Sequence, residues 1–138
     1  MNPNPTDLTL SAEHRKELIA WAARCVARLL PIFRQHRPAD QRLDEALAAV
    51  EKFQDNTLSV GQMRTLALGC HAAARDCTND QAKAVARACG QAIAIAHMGG
   101  HARNLARYTR QALAEPSDEL AWQRDHLPPH LRDYVYRT

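Results

Sequence analysis

The chain has 138 residues, of which 46% are hydrophobic and 24% charged, an ordinary globular composition for one domain. Its formal charge of +3 is spread without a basic block or an acidic tail, which argues against a dedicated nucleic-acid binder. No apolar run approaches the ~20 residues that span a bilayer.

In chain order, residues 1–10 contain two prolines and two asparagines and read as an irregular lead-in; residues 11–138 read as a single all-α domain. Ser11 is a good N-cap, with Glu13 in the first turn. Leu18, Trp21, Ala22, Cys25, Leu29, Ile32 and Phe33 then recur on one helical stripe. Pro31 lacks a backbone donor and predicts a kink or an end there. A second helix follows Pro38 and Asp40, buries Leu43, Ala46, Leu47, Val50 and Phe53, and stops at Asp55-Asn56. Ser59 and Gln62 form a capping box for a third, with Leu58 and Met63 as its hydrophobic staple. That helix runs through Leu66 and Cys70 toward Arg75.

Thr78 and Gln81 suggest a second capping box. The alanine-rich fourth helix carries Ala82, Val85, Cys89, Ile93 and Ala96 until Gly99-Gly100 breaks it. A fifth restarts about His101 and continues through Leu105, Tyr108 and Leu113. Pro116-Ser117 opens a short segment around Leu120 and Trp122, Pro128-Pro129 stops it, and a last turn holds Leu131, Tyr134 and Val135. No segment alternates with period two. The fold class is therefore all-α: a compact bundle of about five main helices plus a short helical C-terminal tail. Aromatic residues are only 5% of the chain, so small side chains must build the core, and an Ala92→Arg change there should be destabilising. An alanine-rich face left exposed would favour a homodimer.

Cys25, Cys70, Cys77 and Cys89 form no CxxC pair. With no signal peptide, a disulfide framework is not expected, and reduced thiols in a cytoplasmic protein are. Catalytic cysteine chemistry has no local signature. His97 and His101, four residues apart, would share a face of a continuous helix, and His71 could add a third nitrogen to make a catalytic metal centre. Such a bundle resembles the DinB-like metal-binding bundles. The bland alternative is that the three imidazoles hydrogen-bond between packed helices. Arg103, Arg107 and Arg110 read as one face of helix five, either solvated or gripping a partner. Arg42, Arg75 and Arg87 lie in small-residue helices, where pairs with Asp44, Asp76 or Asp80 could fix register. Trp122 reads as a clamp for the tail or, if exposed, as a partner anchor.

The stretches HAAAR at 71–75 and ARACGQAIAIAHMGGHA at 86–102, Tyr108, and the ending WQRDHLPPHLRDYV resemble the immunity proteins of bacterial polymorphic toxin systems, of the immunity-five-like kind. The opening LTLSAEHRKELIAWAARCVARLLPIF is similar too, so the resemblance covers nearly the whole chain. It implies an antidote that binds a cognate protein toxin and occludes it, with no catalysis and no cofactor. The motif positions carried over are His71, Arg75, Gly90, His97, His101 and Tyr108; partner-binding candidates are Arg103, Arg107, Arg110 and Trp122. The alternative is a metal-binding helical-bundle enzyme using His71, His97 and His101, and behind it a nucleic-acid or regulatory module.

Overall fold

Residues 2–137 are described by a computed structural model, and all regular structure in them is helical. The first helix, α1 (Ala12–His36), starts where Ser11 accepts a hydrogen bond from the His14 N–H at 3.1 Å. Its buried stripe is the expected one, through Leu18, Trp21, Ala22, Cys25, Leu29 and Phe33. Pro31 neither ends nor interrupts it: α1 continues to His36. The carbonyl that loses its donor is that of Ala27, and Ala27 and Pro31 both lie on the exposed side, where water can take the vacant acceptor.

Helix α2 (Arg42–Gln54) buries Leu43, Ala46, Val50 and Phe53 and ends at Asp55, followed by Asn56 at φ 66°. Helix α3 (Val60–Asp76) begins with the predicted capping box of Ser59 and Gln62. Helix α4 (Asp80–Ala94) is capped by Asn79, whose side-chain oxygen accepts from the Ala82 N–H at 2.9 Å. The box expected from Thr78 and Gln81 does not form. Asn79 is an equally strong N-cap residue one position later, and it takes the role.

The fourth helix ends at Ala94, before the glycine pair. Gly99-Gly100 instead opens a 3-10 helix, Gly99–Asn104, that leads directly into α5 (Leu105–Ala112). Helix α6 (Ser117–His126), a 3-10 turn at Pro129–Leu131 and α7 (Arg132–Val135) complete the chain. The expected five helices and tail are thus seven α-helices with two 3-10 segments among the described residues. The difference lies in the tail, which Pro128-Pro129 divides, and in the 3-10 entry to α5.

Ten of the fifteen residues of α4 are buried, because α1, α2, α3, α5 and the first 3-10 helix all pack on it. Alanine makes this enclosure feasible, since a methyl group fills little space between helix axes. The sulfur atoms of Cys70 on α3 and Cys89 on α4 lie 3.5 Å apart. The alanines of α4 therefore face inward and offer no exposed surface to a second copy.

The lead-in is irregular but tied down. The N–H groups of Gly99 and Gly100 donate to the carbonyls of Thr9 and Leu8 at 3.0 and 2.8 Å. Leu10, at φ 67°, drops its side chain into the core. A Cβ on Gly99 would stand 2.5 Å from Leu10 Cδ1, so glycine there is a condition of the close approach. At the other end, the buried Trp21 indole donates to the Gln123 carbonyl at 2.8 Å, fastening α6 to α1.

Candidate functional site

The motif residues gather where α3, α4 and the 3-10 entry to α5 meet. His71, on α3, lies half-buried against the backbone of α4 at Gly90; a Cβ there would be 2.6 Å from its Cε1 and Nε2. The Arg87 guanidinium donates to His71 Nδ1 at 2.9 Å. Arginine is only a donor, so Nδ1 is the bare nitrogen and the ring is neutral with its proton on Nε2. Burial, then the charges of Arg87 and Arg75, hold the His71 pKa below its ordinary value. Arg75 itself is exposed in the last turn of α3.

His97 lies in the turn after α4 and His101 in the 3-10 helix, so they are not on one continuous helix. Their rings still meet edge to face, with centroids 5.2 Å apart. His101 Nδ1 donates to Gln91 Oε1 at 2.9 Å, and Asn104 Nδ2 donates to the same oxygen at 2.8 Å. The Nδ1 of His97 is buried without a hydrogen-bond partner. Burial lowers the pKa of both rings, and for His97 the neighbouring His101, Arg64 and Arg15 lower it further.

The three imidazoles are neighbours but not a ligand set. Among the described residues their ring nitrogens do not all come within 4.8 Å of one another. The Nδ1 lone pair of His71 is already engaged by Arg87, and guanidinium groups surround the cluster. The hydrogen-bonding alternative fits His71 and His101 only in part, since their partners are the Arg87 guanidinium and the Gln91 amide rather than backbone or carboxylate groups, and it leaves the buried Nδ1 of His97 without a partner. The chain-order signal for Gln91, Asn104 and Arg15 was absent, although these residues organise the site. Arg15 donates to the Ala96 carbonyl at 3.0 Å and to the Leu10 carbonyl at 2.6 Å, bracing the turn that carries His97.

Tyr108 on α5 is half-buried under Arg107, whose guanidinium carbon lies 4.7 Å from the ring centroid. With Asp80, Lys83, Arg87 and Gln111, Tyr108 lines a concavity of about 470 Å³, one wall of which is the same Arg87 that bonds His71. A larger and more apolar groove, about 550 Å³, lies between α2 and α3 over Ala49, Leu58 and Leu66.

The expected arginine face of helix five is corrected by the structure. Arg107 and Arg110 are exposed on α5, but Arg103 belongs to the 3-10 helix and points into the chain. It donates to the carbonyls of Tyr134 and Pro5 at 2.8 and 2.7 Å and covers the Tyr134 ring at 4.2 Å. Trp122 is half-buried, stacked on His126 and covered by Arg28 at 4.1 Å. The Trp21 indole hydrogen-bonds the tail, and Trp122 meets α1 through the guanidinium groups of Arg24 and Arg28. Of the register-fixing pairs, Arg42 bonds Asp76 at 2.8 Å and Asp40 at 2.7 Å, whereas Arg87 turns to His71.

The four cysteines are buried, and burial raises the thiol pKa of Cys25 and Cys77. No helix among the described residues is long and apolar enough to cross a membrane. Comparison with curated proteins and with solved structures finds no match to this chain. Residues 8–130, which include the histidine cluster, the Tyr108 concavity and most of the tail, match the family described as Imm-5 like putative immunity protein, and the chain belongs to that family.

Proposed function

We propose that the protein neutralises a cognate protein toxin by stoichiometric occlusion, without a reaction of its own. The observation that carries this reading is the family match over residues 8–130. The histidine chemistry is in keeping with it: all three rings are half-buried with pKa values lowered by burial, His71 and His101 bond side chains of α4, and His97 packs edge to face on His101. The thiols are buried, which disfavours a nucleophilic role. Action in the cytoplasm suits a chain with four such thiols.

The surface proposed to meet the toxin includes the exposed Arg107 and Arg110 of α5 and the concavity under Tyr108. An interface of ordinary size needs about 800 Å² per partner with a few central anchors, and Tyr108 with Trp122 are the aromatic candidates. The test is co-expression with a candidate toxin drawn from the neighbouring genes. Rescue of growth, together with an equimolar complex on a sizing column, is the expected outcome. Charge reversal at Arg107 and Arg110 should weaken that complex by about tenfold or more. Failure to rescue, or rescue without a complex, overturns the occlusion reading.

A further inference from the structure

A second group of histidines has its ring nitrogens closer to metal geometry than the first. His14 and Glu17 are three residues apart near the start of α1, so they share a face. His130 reaches the same place from the Pro129–Leu131 turn. Its Nε2 lies 3.0 Å from Glu17 Oε2 and 3.2 Å from Glu17 Oε1. The His14 and His130 ring centroids are 5.8 Å apart. One ligand atom from each of the three residues lies within 4.8 Å of the other two.

In a tetrahedral zinc site with bonds of about 2.0–2.1 Å, neighbouring ligand atoms are about 3.4 Å apart. The Glu17–His130 edge is already that short, and the remaining edges lie within 4.8 Å. An ion pair between Glu17 and His130 does not account for His14, which stands beside it and supplies a third ligand atom. The electrostatics also differ from the first cluster. Guanidinium groups surround His71 and His97, whereas here a carboxylate is built into the set and offsets the charge of a dication. All three residues are half-buried, held by their helices yet open to solvent.

We infer that His14, Glu17 and His130 bind one divalent transition-metal ion of the zinc type, with a fourth position open to water. Two imidazoles and one carboxylate suit such an ion better than calcium or magnesium, which take oxygen ligands. Bound there, the ion joins the C-terminal segment to α1 and stabilises only the folded arrangement.

The test is titration of the metal-free protein with Zn²⁺ against a chromophoric chelator at neutral pH. One equivalent should bind and raise the melting temperature. Glu17→Gln and His130→Ala should each weaken binding by about tenfold or more while far-UV circular dichroism stays unchanged; the first variant is near-isosteric and guards against misfolding. Co²⁺ should give the visible bands of a four-coordinate site, absent in His14→Ala. His97→Ala should leave all of this intact. Substoichiometric binding, binding indifferent to the three substitutions, or binding lost with His97→Ala would overturn the site.

Discussion

Gly90 has no Cβ because the imidazole of His71 occupies the space one would fill. A glycine in mid-helix costs about 1 kcal/mol relative to alanine. Here that cost is offset by seating a half-buried ring held by Arg87. Two opposing terms therefore meet in Gly90→Ala, and the overlap wins, because the ring is fixed by its hydrogen bond. The expected change is a destabilisation of about 1–3 kcal/mol, read by urea unfolding. With His71→Ala in the background the sign should reverse, since only the helix preference remains. A Gly90→Ala cost that is the same in both backgrounds would show that the ring is not what excludes the methyl group.

At the level of elements, α4 decides the fold, and its enclosure makes Ala92 a sensitive position. Ala92 is fully buried, so Ala92→Arg should cost several kcal/mol. Ala27→Arg, on the exposed side of α1, should stay within about 0.5 kcal/mol. Thermal melts of the two variants distinguish them directly. Much of this level was legible in the chain. The Ser59–Gln62 box and the buried stripes of α1 and α2 depend on neighbours a few residues apart, and local rules describe such neighbours well. The start of α4 was misread by one residue because two good capping residues, Thr78 and Asn79, stand side by side. Pro31 does not end α1, because the cost of a proline depends on which way the freed carbonyl faces. For the site, spacing singles out His71, His97 and His101, and the glycine pair marks the break that keeps the last two off one continuous helix. The meeting of Glu17 with His130 was not legible at all, as those residues are joined by packing across 113 positions. Arg103 was mistaken for a surface residue for the same reason: its partners Pro5 and Tyr134 are remote in sequence.

For the molecule as a whole, acid should act in two stages. His71, His97 and His101 all have folded pKa values below the ordinary 6.5. Their unfolded forms therefore bind protons first, and stability is greatest above about pH 6.5 and declines as pH falls through the lower, folded values. Asp40 is held at about 2 by its hydrogen bonds from Arg42. Its contribution persists down to about pH 4 and is lost between there and about 2. Melting temperatures measured from neutral pH to about pH 5 should fall, and His97→Gln should flatten that decline. A flat profile in the unmodified protein would mean the three rings titrate as freely folded as unfolded.

The two ends of the chain share one anchorage. Arg103 holds the carbonyls of both Pro5 and Tyr134, and the Tyr134 hydroxyl donates to the Asp7 carbonyl at 2.7 Å. Loosening either end removes a partner from the other, so the opening and closing segments come undone together or stay in place together. Local fraying, which in most domains begins separately at each extremity, is here a single coupled event centred on one guanidinium.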